Sequence, residues 1–384
     1  MRVTNRQQVD ALVTAIRNFR SEISIRSEQI ASGKRVNRPS DDPAAAERIS
    51  QFRNVLRTTE RRLQTVNEGV GRLNLSDSVL DQAGNTFLRA KELAVQLRND
   101  TYTAVERRNV AQEVQQLILG LASVGNTQLN GRFVFAGNET QTEPYVTGTV
   151  TGSASTTNTG GATLAAATVV TPSALKPDGY QIQFTSPTQF DILNLSTNQT
   201  VSTGNLYTSG AAFSFDGVSV TVSHGGVPPA TGDQFFVRVG YVYQGDNAVI
   251  DLEVGDGQTV QSNIPGSQVF TGPTTDVFQD LQNFYQALVT NDVNGIETAI
   301  GQFDRSLSQV TNARTTIGAN VNRLDTIRDS LELLTVNTQE LRSNFEDADF
   351  AKVASDLTSL QVTLEASLAT LSRQFETSLL NFIR

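Results

Sequence analysis

Apolar residues recur along this chain with two periods, and the changes between them mark out its parts. Val9, Leu12, Ile16, Phe19, Ile23 and Ile30 are spaced 3, 4, 3, 4 and 7, a heptad seam that misses one apolar contact near Arg26 or Ser27. The pattern predicts a helix over residues 6–32 with a narrow apolar stripe, which needs another helix to bury it. A longer run at 43–99 carries Ile49, Phe52, Leu56, Leu63, Val66, Val70, Leu73, Val79, Leu80, Phe87, Leu93 and Leu97, weakened locally by Gly69, Gly71 and Gly84. Its length favours a rod or bundle over a compact helical domain. A third helix is predicted at about 103–126.

Beyond residue 129 the period shortens. Asn130-Gly131 signals a tight turn and Phe133-Val-Phe135 a short strand. Residues 147–171 are Thr, Ser, Gly and Ala without a single Lys, Arg, Asp or Glu, and read as a loop or a weakly held strand. Residues 178–272 alternate apolar and polar positions between turn residues, as in Tyr180-Gln-Ile-Gln-Phe184 and Val218-Ser-Val-Thr-Val222. This predicts an inserted all-β domain of two sheets or a small barrel. Helical periodicity returns at about 276–290, 293–343 and 347–382. The last helix carries Val353, Leu357, Leu360, Leu364, Leu368, Leu371, Phe375, Leu379 and Phe382, on average roughly 3.6 residues apart, a period that gives a nearly straight helix.

The expected fold is α+β: a long antiparallel helical rod or coiled coil, formed by N- and C-terminal segments, with an all-β domain inserted. Residues 1–42 and 346–384 are expected to form terminal coiled-coil helices, residues 43–145 and 275–345 a helical rod domain with a short hairpin, and residues 146–274 the β domain. Val13, Ile25, Val362, Leu380 and Ile383 lie off the main seams and are apolar too. A two-helix pairing leaves them exposed, and packing against other subunits buries them.

Between the first two helices lies Ile30-Ala-Ser-Gly-Lys-Arg-Val-Asn-Arg-Pro-Ser-Asp-Asp-Pro-Ala-Ala-Ala46. Gly33 suits a left-handed helix stop, Pro39 blocks continuation, Asp42 reads as an N-cap and Pro43 as the first helical residue. Glu346, Asp347 and Asp349 suit the N-terminus of the last helix through its dipole.

Composition narrows the function classes. The 384 residues carry no Cys and a formal net charge of −9, which excludes thiol chemistry and argues against nucleic acid. No signal-peptide pattern and no membrane-spanning run is present. Taken alone this reads as cytoplasmic, and export without signal cleavage stays open. The lone histidine, His224, opens His224-Gly-Gly-Val-Pro-Pro229, a segment like an esterase oxyanion hole, but no nucleophile elbow accompanies it and a hairpin turn is the simpler reading. Gly33-Lys34 is not a phosphate loop, and Asp41-Asp42 lacks a third metal ligand nearby. No catalytic, cofactor or metal residue is assigned. Exposed aromatics for a glycan-binding β domain would come from Tyr180, Phe184, Phe190, Phe213, Phe215, Tyr241 and Tyr243, and most suit a core.

Three ordered segments resemble the bacterial flagellin superfamily. Ser32-Gly-Lys-Arg-Val-Asn-Arg-Pro-Ser-Asp-Asp-Pro43 looks like its N-terminal motif, and the prolines within it tilt the likeness toward the hook-associated proteins of the hook–filament junction. The matching positions are Gly33, Arg35, Pro39, Asp41, Asp42 and Pro43. Asn130, Gly131, Arg132, Phe133, Phe135 and Gly137 match the "N-G-R-[YF]-x-F-A-G" segment of the junction proteins, and Phe345-Glu-Asp-Ala-Asp-Phe-Ala-Lys352 is similar to a segment shared with flagellins. The resemblance covers about 1–145 and 275–384 well and 147–272 weakly. It implies a structural role in the flagellum, outside the cell, after type III export. The partners it implies are further copies in a ring, hook-associated protein 1 on one side, flagellin or the adjoining filament on the other, and an export chaperone. It implies neither nucleic acid nor membrane insertion. A bulk filament subunit is the alternative.

Overall fold

The computed structural model describes the backbone of residues 2–272 and 275–383, and side-chain surroundings for residues 7–272 and 275–375. The chain forms two compact units, Met1–Gln64 with Arg328–Arg384, and Thr65–Ile327. Helices α2 (Pro43–Leu97) and α6 (Val293–Glu346) contribute to both.

In the Thr65–Ile327 unit, α2 and α6 run antiparallel. Arg314 pairs with Asp77 and Asp81, Lys91 with Asp304, and Arg98 with Glu297, so partners climb one helix while descending the other. Val66, Leu73, Leu80, Phe87 and Ala94 of α2 recur every seven residues and are buried. Ile296, Phe303, Val310, Ile317 and Leu324 of α6 do the same. The register sets Leu80 level with Ile317 and Phe87 level with Val310, a filled heptad core. Each fully buried side chain of this size contributes roughly 1.5–3 kcal/mol relative to exposure.

Helix α3 (Ala104–Gly125) begins at a capping box, with the Thr103 hydroxyl accepting from the Glu106 amide and the Glu106 carboxylate accepting from the Thr103 amide. Buried Arg107 closes the end of α2 by donating to the carbonyls of Leu97 and Asn99 at 3.0 Å each. Strands β1 (Gln128–Leu129) and β2 (Arg132–Phe133) form a hairpin whose turn residues Asn130 and Gly131 have φ of 52° and 75°. Two positive values in succession are the I′ geometry that Asn-Gly favours.

The insertion is a two-sheet antiparallel sandwich. Its strands are β3 (Tyr145–Ala154), β4 (Ala162–Val169), β5 (Gly179–Ser186), β6 (Gln189–Asn194), β7 (Gln199–Leu206), β8 (Ala212–Phe215), β9 (Val218–His224) and β10 (Gln234–Tyr243). One sheet has the order β3-β10-β5-β6-β7 and the other β4-β9-β8. Tyr180, Ile182 and Phe184 of β5 meet Val218, Val220 and Val222 of β9 and Phe235, Val237 and Val239 of β10 in one core. Of the two readings of the Thr/Ser/Gly tract, loop or weakly held strand, the strand holds for most of it. The strands are β3 and β4, each an edge strand paired along its length with β10 or β9, with one register shift in each pairing. An edge strand draws its hydrogen bonds from one neighbour and needs few buried side chains, so a charge-free run of β-branched and small residues suffices. Only Ala162 of β4 is buried in the core, with Val150, Leu164 and Ala167 packed against it.

A second small hairpin, β11 (Asp251–Gly255) with β12 (Gln258–Gln261), and a single-turn helix α4 (Gly266–Val269) follow. Leu252 of β11 presses on Gly69 of α2, where a Cβ has no room, so that glycine is a docking notch and not merely a weak point. Helix α5 (Val277–Val289) is capped by Asp276, whose Oδ1 accepts from the amides of Phe278 and Gln279 at 3.0 Å. It is buried on nearly all sides, and it holds the sandwich: Arg238 of β10 donates to the Gln282 carbonyl, and Gly179 sits against the Tyr285 ring. Burial without a carboxylate partner lowers the Arg238 pKa to about 10.

Candidate assembly site

The motif segments of the two chain ends meet at one corner of the unit built from Met1–Gln64 and Arg328–Arg384. Helix α1 (Arg2–Ser32) stops at Gly33, with φ 70°, and helix α7 (Phe350–Ile383) starts close by. The Arg35 amide donates to the Glu346 carbonyl at 2.7 Å, and the Ala348 amide donates to the Gly33 carbonyl at 2.9 Å. Arg35 also reaches the Phe345 carbonyl at 2.9 Å and the Asp42 carboxylate at 3.1 Å.

Asp42 caps α2 by accepting from the Ala45 amide at 3.0 Å. That bond and the one from Arg35 hold its carboxyl below the usual range. Asp41 accepts from the amides of Asn37 and Arg38, at 3.0 and 2.8 Å, and so fixes the loop before it. Both aspartates are occupied with backbone, in line with the capping reading. Val36, Ala45 and Ile49 form a small buried core with Ala46 and Phe345 packed on it, and the Arg48 guanidinium lies 5.1 Å over the Phe345 ring.

Glu346 does not serve the last helix. It ends α6 and is buried, with its Oε1 taking Lys34 at 2.7 Å and Arg53 at 2.6 Å, while Arg342 stands 3.4 Å from Oε2. Burial pushes its carboxyl up, but the hydrogen bonds and charges of Lys34 and Arg53 outweigh it and the net shift is downward. Asp349 is the cap of α7, accepting from the Lys352 amide at 3.1 Å, and Asp347 accepts from Ser343 at 2.5 Å. Only Arg342, four residues before Glu346, is local to it, because Lys34 and Arg53 come from the other end of the chain. The one clue is that both segments carry motifs.

From this corner α1 and α7 pack together. Of their seam residues only Ile16 and Val353 are buried. Val9, Leu12, Phe19, Ile23, Ile30, Leu357, Leu360, Leu364 and Leu371 are half-buried. Leu368 is 40% and Phe375 50% exposed. The side chains of Leu379 and Phe382, and of Leu380 and Ile383, lie outside the described residues. Off the seam, Val13 is half-buried, while Ile25 and Val362 are exposed at 45% and 60%.

The hairpin motif lies in the other unit and is structural there. Phe135 is fully buried among Phe270, Tyr145 and Tyr243, and its carbonyl accepts from the Tyr243 hydroxyl at 2.9 Å and the Gly266 amide at 2.7 Å. Gly137, with φ 70°, sits directly against Asp246. Arg132 is exposed and Phe133 half-buried. His224 ends β9, its Nδ1 3.2 Å from the Tyr207 hydroxyl and its amide donating to Ser209 Oγ at 2.9 Å. Among the described residues no three His, Asp or Glu side chains group to hold a metal, and no helix is long and apolar enough to cross a membrane. Of the candidate glycan-facing aromatics, Tyr180, Phe184, Phe190 and Phe215 are buried in the sandwich core.

Comparison with known families agrees with this arrangement of ends. Residues 4–140 match the bacterial flagellin N-terminal helical region, residues 300–383 the bacterial flagellin C-terminal helical region, and residues 153–239 the D2-like domain of flagellar hook-associated protein 1. The chain is 32% identical to flagellar hook-associated protein 3 of Escherichia coli K12 over 151 residues, which cover 38% of this chain and 46% of that protein. The match thus spans about half the length of that relative. Polar flagellin C of Vibrio parahaemolyticus is 22% identical over 373 residues, 92% of this chain and 91% of that one. Among solved structures, a putative flagellar hook-associated protein from Vibrio parahaemolyticus shares the fold, with a TM-score of 0.53 and 14% identity over 80% of this chain and all of that one. Carrying both terminal regions of flagellin around a hook-associated type of β insertion, the chain belongs to the flagellin superfamily.

Proposed function

We propose that this chain is a structural subunit of the bacterial flagellum that joins hook to filament as a junction ring. The observation that carries the reading is the 32% identity over 151 residues to flagellar hook-associated protein 3, a relative whose name states an association with the hook. In this reading residues 1–42 and 346–384 make the assembly contacts, residues 43–145 with 275–345 support them, and residues 146–274 form an outer domain. The seam residues of α1 and α7 complete their burial against neighbouring copies, each interface being heterologous so that rotation closes the ring. Ordering these helices on assembly offsets part of the apolar gain, as in coupled folding and binding. The partners are further copies, hook-associated protein 1, flagellin or the adjoining filament, and an export chaperone on the C-terminal helix. The route out is the flagellar type III apparatus, and the role is architectural, not catalytic.

Immunogold labelling of isolated flagella tests the reading. A single band at the hook–filament boundary is expected. Uniform labelling along the filament would favour a bulk flagellin, the reading that the full-length likeness to polar flagellin C supports and that Pro39, Pro43 and the Asn130–Gly137 segment oppose.

A further inference from the structure

The heptads of α2 and α6 continue into the Met1–Gln64 and Arg328–Arg384 unit, but one layer changes character. Phe52 meets Phe345 with ring centroids 6.1 Å apart. One heptad further along, the same register sets Thr59 level with Thr338, both buried at 2% and 5% exposure. Two threonines fill less space than the leucines and phenylalanines of the other layers. Over this layer lies an open groove of about 690 Å³. Its floor is Leu56, Leu63 and Thr335, and its rim is Arg53, Arg57, Glu60, Gln339 and Arg342. Three guanidinium groups against one carboxylate make the rim basic. Arg53 and Arg342 already face Glu346, whereas the bonds Arg57 makes go to its own helix, to the Arg53 carbonyl and the Asn54 side chain.

The corner offers an exposed aromatic ring and two carboxylates. Phe350 is 63% exposed, the most exposed phenylalanine of the described residues. Asp347 and Asp349 both precede it and are exposed, with Lys34 bridged to Asp347 along the backbone and Lys352 two residues beyond the ring. An exposed aromatic ring next to two carboxylates suits an apolar floor under arginines, and aromatic and arginine side chains are the usual anchors of protein interfaces.

We infer that the groove over the Thr59–Thr338 layer receives the Asp347–Phe350 corner of a second copy of this chain. Every copy carries one groove and one corner, so the contact is heterologous and passes from copy to copy. The inference rests on the homo-oligomeric reading above and names the surfaces that meet.

Because the chain has no cysteine, single cysteines report the contact cleanly. Chains carrying Arg57→Cys are mixed with chains carrying Phe350→Cys and oxidised. The expected result is a disulfide-linked heterodimer at several times the yield of a control mixture of Arg57→Cys with Leu206→Cys, a position 81% exposed in the β domain. Yields equal to the control overturn the inference. Charge reversal gives a second reading: Arg57→Glu and Asp347→Lys each weaken self-association about tenfold, and a mixture of the two recovers it. Failure to recover also overturns it. A cross-link formed by chains that never label the hook–filament boundary would sink the junction reading and leave the contact standing.

Discussion

The same two helices, with the same seven-residue repeat, are built to two standards. In the Thr65–Ile327 unit the layers are Leu73, Leu80 and Phe87 against Leu324, Ile317 and Val310, all at 1% exposure or less. In the other unit a layer is Thr59 and Thr338, and α6 exposes Leu333, Leu334, Val336 and Leu341 at 42–62%. The α1–α7 pair is similar, with most of its seam half-covered. Periodicity alone therefore does not say whether a helix is finished. One unit fills its heptad layers within the chain, and the other leaves much of its seam half-covered or exposed.

The largest effect separating the two should come from core truncation. Phe87→Ala is expected to cost about 3–5 kcal/mol in denaturant unfolding of the free chain, because a cavity remains in a filled layer. Leu364→Ala should cost under about 1 kcal/mol in the same measurement, since its side chain is already half-exposed, yet reduce incorporation into flagella. Equal costs would erase the distinction.

Next is the Glu346 cluster. Glu346→Gln removes the charge that Lys34, Arg53 and Arg342 share, and because those cations are themselves a third to a half exposed it should destabilise the corner by about 1–2 kcal/mol, read from unfolding of the chain. Its pKa is lower folded than unfolded, so the stabilisation is fully present above its ordinary value of 4.5 and is lost as pH falls through the lower folded value. A melting temperature for this unit that stays flat from pH 6 to pH 3 in the wild type would contradict the role given to Glu346.

Smaller effects sharpen the picture. Gly69→Ala gains about 1 kcal/mol of helix propensity but pushes against Leu252, so a net loss of about 1 kcal/mol is expected. Thr338→Val exchanges a buried hydroxyl for a methyl at nearly constant volume and should raise the stability of its unit by about 0.5–1 kcal/mol, measured by thermal unfolding.

How much of this was legible beforehand follows from range. The capping role of Asp42 and the stop at Gly33 are local, and the sequence carries them. The long helices fall within a few residues of their predicted bounds, since many repeats average out local noise. Strands β3 and β4 are only half legible, as one of two readings of their tract, because edge strands lean on β10 and β9 and their own composition does not separate strand from loop. Thr59 and Thr338 escape a search for apolar positions although they occupy the heptad. The place of Glu346 at the end of α6 escapes the sequence because two of its three cations, Lys34 and Arg53, are nearly three hundred or more residues away.

Hydrogen exchange on the free chain, followed by mass spectrometry, addresses the division between the two units most directly. The prediction is slow exchange across α2 from Val66 to Ala94 and α6 from Phe303 to Leu324, and exchange faster by orders of magnitude in α1 and in α7 beyond Val353, with protection appearing there on assembly. Protection of α1 and α7 equal to that of the filled layers, before any assembly, would contradict it.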